Sequence, residues 1–250
     1  MVKMAAADGE PGRMSIKEKA KLQLRKLDIG DRFSNIQLPK ASVLIPLMVK
    51  DGKLCLLFTV RSMKQETLAV AVVQLRTSPG DVCFPGGRSD PADTDEVATA
   101  LREAKEEVGL LPEQVEVICR LVPGIDKTHS IVTPVVALIE DTFQAQPNPE
   151  EVSHVFSVPL EYFIHPRKYS VVPLQRNGHA PYLMHFFEYN DPEHQMSFTV
   201  WGLTARFAVF VAVAIYEEKP TFEVEFDLDN LNSSVEKYLM MRYNSIKSKL

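Results

Sequence analysis

The chain has 250 residues, of which 45% are hydrophobic and 24% charged, and its formal net charge is −5 at pH 7. These proportions are typical of a globular protein, and the negative charge gives no overall attraction to nucleic acid or to an anionic membrane. The apolar run 207–215 is too short for a membrane span and favours a core helix. Three cysteines, Cys55, Cys83 and Cys119, lie in apolar runs, which predicts buried thiols and neither a disulfide nor a thiolate metal site.

The hydrophobic pattern predicts strands interleaved with helices. Asp51-Gly52 separates two apolar runs, which is typical of a tight hairpin turn. Residues 150–155 are interpreted as a turn or a short helix. In chain order we expect a basic helix at 17–26, strands at 42–49, 54–60, 115–122, 131–138, 182–188 and 196–201, and helices at 204–217 and 233–247. This order indicates the α/β class.

The most informative segment runs from Gly86-Gly87 to residue 110. An apolar run ends at the glycine pair, where backbone can approach a ligand or a metal ion closely. A helix follows, and its turn of about 100° per residue places Glu106 and Glu107 within about 60° of Glu103. Its apolar side chains lie on a different arc, so one face can enter a core while the other presents three carboxylates.

Repulsion between these carboxylates calls for a cation. Oxygen donors suit Mg²⁺ or Mn²⁺ better than zinc, and such ions usually accompany phosphate substrates. The alternative is an acidic helix face that is merely solvated. The functional interpretation is favoured because the helix has defined ends, with Asp93 or Asp95 as its N-cap and Gly109 at its C-terminus.

The segment from Gly87 to Leu110 resembles the Nudix box, the signature of hydrolases that cleave a diphosphate linked to another moiety. Its second half is matched at every position by Arg102-Glu103-Ala104-Lys105-Glu106-Glu107-Val108-Gly109-Leu110. The first half departs, because the usual spacing would put glycine at Arg88 and glutamate at Thr94. The longer spacing resembles the coenzyme A diphosphatase branch, as do Arg61-Ser62, Arg76, Gly80 and Phe84-Pro85-Gly86-Gly87.

This resemblance implies a Nudix-type α/β/α sandwich with a mixed β-sheet at 38–172. It follows an N-terminal extension at 1–37, and residues 173–250 are expected to pack on the same domain. The implied reaction is metal-dependent cleavage of coenzyme A and acyl-coenzyme A to 3′,5′-ADP and (acyl-)4′-phosphopantetheine. One alternative is a Nudix hydrolase of another nucleoside diphosphate derivative, such as NADH. The other is a protein that binds the substrate without turnover.

The metal ligands implied by the resemblance are Glu103 and Glu107, with Glu106 completing or sharing the cluster around Mg²⁺ or Mn²⁺. Arg102 lies one turn before Glu106 and is expected to orient a glutamate. The general base stays open between Glu106 and two acids of a later loop, Glu150 and Glu151.

Substrate contacts are assigned to two arginines and to the glycine pair. Arg61 and Arg76 are expected to bind the 3′-phosphate and the diphosphate of coenzyme A, since guanidinium pairs with phosphate in a bidentate manner; the alternative is that both are surface charges. The backbone of Gly86 and Gly87 would lie near the metal and the substrate. His129 either contacts a phosphate or only decorates a loop.

Two further segments carry predictions. Residues 65–74 form an apolar run between Arg61 and Arg76, and we interpret them as a loop insertion that alters or impairs substrate binding, from an alternative product of the transcript. The chain ends in Ser248-Lys249-Leu250, the form of a peroxisomal import signal read by a receptor. A frayed helix end is the alternative; with coenzyme A chemistry, the tripeptide predicts a peroxisomal location.

Overall fold

The computed structural model describes residues 14–63, 80–174 and 182–248. Its helices are α1 (Ile16–Arg25), α2 (Glu96–Val108), α3 (Gly202–Tyr216) and α4 (Leu231–Lys247). Its strands are β1 (Lys40–Lys50), β2 (Lys53–Arg61), β3 (Val82–Cys83), β4 (Gly86–Arg88), β5 (Val115–Arg120), β6 (Gly124–Ile125), β7 (Ile131–Ile139), β8 (Val152–Pro159), β9 (Tyr169–Leu174), β10 (Tyr182–Asp191) and β11 (Met196–Trp201). Outside 150–155, the predicted helices and strands are all present, with ends shifted by a few residues.

The larger sheet is mixed. Its central path runs β3-β2-β1-β7-β5, while β4 pairs with β1, β6 with β7 and β8 with β2. Strands β1 and β7 are parallel, and the other pairs in this sheet are antiparallel. Lys50 lies opposite Lys53 across the Asp51-Gly52 turn, which confirms the predicted hairpin.

Helices cover both faces of this sheet. Successive strand residues point to opposite sides, so apolar residues of one strand contribute to a cluster on each face. Leu44 and Met48 of β1 belong to the apolar cluster that contains Ala104 of α2. Ile45 and Leu47 belong to a larger cluster on the other face, which also includes buried residues of α1 and α3. This three-layer arrangement confirms the predicted α/β/α sandwich with a mixed sheet.

A second, antiparallel sheet has the order β11-β10-β9. It packs on the first sheet through Phe198, whose ring stacks on Phe156 with centroids 4.0 Å apart. Strand β9 was not predicted because most of its side chains, including Val171 and Val172, are exposed and show no apolar alternation. The boundary placed at residue 172 falls inside this strand.

Two local predictions need correction. Strand β8 begins at Val152, whereas residues 150–155 were expected to form a turn or a short helix; pairing with β2, which sets His154 opposite Val60, overrides the weak local preference. Cys83 is partly exposed, although Cys55 and Cys119 are buried as expected, and all three are free thiols. The predicted insertion at 65–74 lies outside the described residues. None of the helices in the described ranges has the length and apolar content needed to span a bilayer.

Candidate active site

Helix α2 is fixed at both ends as the sequence indicates. The Asp95 side chain caps it by accepting a hydrogen bond from the N–H of Ala98 at 2.8 Å. Gly109 ends it in the left-handed conformation, with φ of 71°. Because Ala104 and Val108 are fully buried under the large sheet, the phase of the helix is set and its acidic face turns toward β4.

Glu107 is the most buried of the three carboxylates, with 3% of the residue exposed. Its Oε2 accepts a hydrogen bond from the backbone N–H of Gly86 at 3.1 Å. Burial raises the pKa of Glu107 to about 7, and the negative charges of Glu103 and Glu151 add to this, whereas Arg61 and the Gly86 hydrogen bond oppose it. A proton or a cation is therefore needed to stabilise this carboxylate.

Glu103 lies directly against the glycine pair. A Cβ atom on Gly87 would be only 2.5 Å from the Glu103 carboxyl carbon, so this approach requires glycine. Burial raises the pKa of Glu103, and Glu106 and Glu151 raise it further, whereas Arg102 lowers it. Glu103 and Glu107 thus meet at the turn that the sequence places before the helix.

Arg102 connects several acidic groups on the other side of Glu103. Its Nη1 donates to Glu103 at 2.9 Å and to Glu106 at 3.0 Å, and its Nε and Nη2 each lie 3.0 Å from a different carboxylate oxygen of Asp93. Its Nη2 also donates to the carbonyl of Arg88 at 2.9 Å. Hydrogen bonding to Arg102 holds the pKa of Asp93 well below its usual range. Arg102 is therefore placed to orient Glu103 between the helix and the β4 loop.

Asp93 is a site residue that sequence reasoning treated only as a candidate helix cap. Its bidentate contact with Arg102 shows a different role, since the cap is Asp95. The available signal was its place one residue before Thr94, where the Nudix spacing expects a glutamate. An aspartate one residue earlier supplies a carboxylate to the arginine, which explains how the longer first half can be accommodated.

Arg61 lies at the end of β2. Its burial would lower its pKa, but the charges of Cys83, Glu107 and Glu103 outweigh this and raise it. The guanidinium therefore lies within electrostatic range of the two glutamates. The other predicted phosphate ligand, Arg76, lies outside the described residues.

The two candidate bases on the later loop, Glu150 and Glu151, lie in different environments. Glu151 is partly buried, receives a hydrogen bond from the Asn148 side chain at 3.3 Å, and contributes its charge to both Glu103 and Glu107. Glu150 is exposed. His129 is also exposed, on a turn with φ of 64°. Of these three residues, Glu151 is the one that the structure brings to the carboxylates.

Comparison with known proteins relates this geometry to a family. The sequence profile of the NUDIX domain matches residues 38–186, which include the glycine pair, Arg61, α2 and Glu151. The chain belongs to the Nudix family. The match confirms the resemblance found in the sequence, and with the mixed three-layer sheet it confirms the predicted Nudix-type fold.

Several curated relatives are similar over much of this Nudix chain. Peroxisomal coenzyme A diphosphatase NUDT7 of Mus musculus is 48% identical over 238 residues, which cover 95% of this chain and 96% of the relative. Mitochondrial coenzyme A diphosphatase NUDT8 of Homo sapiens is 38% identical over 167 residues, 66% of this chain and 64% of the relative. Nudix hydrolase 15, mitochondrial, of Arabidopsis thaliana is 37% identical over 196 residues, 77% of this chain and 63% of the relative.

Nudix hydrolases use divalent metal ions, and the donor set at this site fits one. Glu103 and Glu107 provide carboxylate oxygens, their mutual repulsion is relieved by a cation, and the missing side chain of Gly87 lets the Glu103 carboxylate lie against β4. Within the described ranges, no three His, Cys, Asp or Glu side chains converge as a metal site. Glu106 is directed to Arg102 instead, so its role as a third ligand stays a prediction.

Proposed function

We propose that this Nudix hydrolase cleaves the diphosphate of coenzyme A and acyl-coenzyme A, giving 3′,5′-ADP and (acyl-)4′-phosphopantetheine. The observation that carries the proposal is the meeting of Glu103, Glu107 and Arg61 at the Gly86-Gly87 turn. Near full-length similarity to a relative named as a coenzyme A diphosphatase supports the substrate.

The catalytic residues are assigned from their positions around the turn. Glu103 and Glu107 would hold Mg²⁺ or Mn²⁺, which when bound neutralises charge on the diphosphate and acidifies water. Arg102 keeps Glu103 in place through its own contact with Asp93. Arg61 binds a diphosphate oxygen, because its guanidinium lies within electrostatic range of the two glutamates.

The reaction adds one water molecule across the diphosphate. The water oxygen forms a bond to one phosphorus, the bond from that phosphorus to the bridging oxygen breaks, and the second phosphate leaves with the bridging oxygen. We assign Glu151 as the base that accepts the water proton. Its carboxylate lies near Glu103 and Glu107, whereas Glu106 is half exposed and paired with Arg102.

A substrate panel tests this function. Purified protein with Mg²⁺ or Mn²⁺ is given coenzyme A, acyl-coenzyme A, NADH and ADP-ribose, and products are separated by chromatography. We expect turnover of the first two to exceed that of the others, and Glu107→Gln to lose most of it with the fold intact. Preferred hydrolysis of NADH or ADP-ribose would show that coenzyme A is not the substrate and would assign the preferred compound instead. If the parent chain binds coenzyme A but does not hydrolyse it, the protein is a coenzyme A-binding protein and not an enzyme.

We infer a peroxisomal location from Ser248-Lys249-Leu250. Ser248 follows α4 and is exposed, and the last two residues lie outside the described part of the chain. The relative from Mus musculus is named as peroxisomal, whereas others are named as mitochondrial. A fluorescent fusion at the N-terminus should colocalise with a peroxisomal marker and become diffuse when Leu250 is removed. Unchanged distribution of the truncated fusion would exclude this signal.

A further inference from the structure

A cavity of about 370 Å³ opens beside the carboxylate site and extends toward α4. Arg61 and Cys83 line it at the end near the glutamates. Residues of β10, α3 and α4 form its far wall, including Tyr182, Arg206 and Tyr238. Arg61 therefore belongs both to the diphosphate site and to this cavity, so one ligand can occupy the two.

Arg206 is a charged residue in an otherwise apolar helix. No other Asp, Glu, Lys or Arg lies in α3, and 8% of Arg206 is exposed. Its Nη1 has no hydrogen-bond partner among the described residues. Glu225 lies 3.5 Å from that nitrogen, and the Tyr238 ring centroid lies 4.3 Å from the guanidinium carbon. Nη1 is thus ion-paired with Glu225 without a hydrogen bond, while Arg206 as a residue lines the cavity.

The cavity is positive although the whole chain is negative. Its charged lining consists of the basic residues Arg61, Lys127, Arg206 and Arg242 and the carboxylates Asp81 and Asp126. Asp126 already accepts hydrogen bonds from the backbone N–H groups of Thr128 and Ser130, both at 2.8 Å. Arg242 is partly buried on α4 and is ion-paired with no carboxylate of the described residues. With Glu225 beside Arg206 also counted, the surroundings of the cavity keep a small excess of positive charge, which favours an anionic ligand.

Resting on the proposed function, we propose that this cavity binds the nucleoside half of coenzyme A, with Arg206 and Arg242 holding its 3′-phosphate. Arg61 is committed to the diphosphate by its position among the carboxylates, so a second phosphate needs separate cations. A phosphate monoester suits guanidinium donors, and the aromatic walls Tyr182 and Trp201 suit a purine ring. The C-terminal elements thereby determine which diphosphate substrates are accepted.

Dephospho-coenzyme A tests the assignment, because it differs from coenzyme A only by lacking the 3′-phosphate. We expect the parent enzyme to have a kcat/KM for coenzyme A at least about tenfold higher than for dephospho-coenzyme A. Arg206→Gln and Arg242→Gln should each remove most of this preference by lowering the value for coenzyme A alone. Arg167→Gln, an exposed arginine outside the cavity, is the control and should keep it.

Arg242→Gln keeps the test valid if the buried Arg206 variant fails to fold. Parallel loss with both substrates, an unchanged preference, or a selective loss with long-chain acyl-coenzyme A would overturn the assignment. Failure of the proposed function would look different, since the parent protein would hydrolyse neither substrate. In that case, calorimetry with 3′,5′-ADP and with AMP still decides: a tighter complex with 3′,5′-ADP that Arg242→Gln weakens supports the subsite, and equal affinity refutes it.

Discussion

The backbone N–H of Gly86 donates a hydrogen bond to Oε2 of Glu107 at 3.1 Å. This bond joins the first residue of β4 to the last turn of α2, two segments that are separate in sequence. It holds a largely buried carboxylate but does not neutralise it, and the pKa of Glu107 is accordingly raised by burial to about 7. The buried charge of Glu107 therefore lowers the stability of the metal-free protein. The same hydrogen bond holds the carboxylate in a fixed position for a cation.

Substituting Glu107 should reveal this destabilisation as a dependence on pH. Because the folded pKa of about 7 exceeds the ordinary 4.5, the contribution of Glu107 to stability is complete below pH 4.5 and is lost as pH rises through 7. Metal-free Glu107→Gln should match the parent near pH 4. At pH 8 it should be more stable by about 3 kcal/mol, which is roughly 6–12 °C in melting temperature.

Thermal unfolding in chelator at the two pH values measures this difference. Glu106→Gln serves as the control on the same helix, because that side chain is half exposed, and it should show no gain at pH 8. Turnover of Glu107→Gln should fall at least about 100-fold despite the added stability. Equal stability of parent and Glu107→Gln at both pH values would contradict the buried, uncompensated carboxylate.

The two adjacent glycines should respond differently to alanine. A Cβ at Gly87 meets the end of the flexible Glu103 side chain, 2.5 Å from its carboxyl carbon. Gly87→Ala should therefore fold but displace Glu103, with a loss of turnover of about 100-fold. A Cβ at Gly86 meets backbone, including the Cα of Val43 at 2.6 Å, so Gly86→Ala should cost at least about 2 kcal/mol of stability.

Melting temperature and turnover, measured together for both variants, separate the two effects. Gly86→Ala is the control for a folding defect at the same turn. The interpretation fails if Gly87→Ala keeps full activity, or if both variants lose stability equally.

Sequence periodicity was sufficient to predict where Glu103 and Glu107 lie, because helix phase puts them together on one side of the apolar arc that includes Ala104. It could not show that Asp93 binds Arg102, since that contact depends on how the loop before α2 folds back. Arg206 was visible as a lone charge in an apolar helix, but its neighbours Glu225 and Tyr238 come from distant segments. Local pattern thus predicted most of the elements and the helix face that carries Glu103 and Glu107, whereas long-range packing decided the second sheet and the cavity.

Glu151 and Glu150 offer a matched test of the general base. They are adjacent, but only Glu151 contributes its charge to both Glu103 and Glu107. Glu151→Gln should lower kcat by about 100-fold or more at pH 8, whereas Glu150→Gln should stay within a small factor of the parent. Steady-state rates with coenzyme A measure both. If Glu150→Gln has the larger effect, Glu150 is the base. If neither variant is slow, Glu106 remains as the candidate base.

Removal of residues 65–74 tests whether the predicted insertion hinders the substrate. The described residues on either side are paired with each other: the N–H of Gly80 donates to the carbonyl of Arg61, and the N–H of Arg61 donates to the carbonyl of Asp81, both at 3.1 Å. Because these flanks are already paired, shortening the connection should change stability by less than about 1 kcal/mol. We expect kcat/KM for coenzyme A to rise several-fold, since the connection starts beside Arg61, which lies within electrostatic range of the carboxylates.

Replacing the same ten residues with a glycine-serine segment of equal length is the control for that deletion. If kcat/KM for coenzyme A rises with the replacement, the apolar side chains of the insertion hinder the substrate. If it rises only with the deletion, the length of the insertion is the cause. The fraction of protein that stays soluble is measured for all three chains, because an apolar run such as Leu68 to Val73 favours aggregation. Identical kinetics and identical solubility in the three would mean that the insertion has no effect on the enzyme.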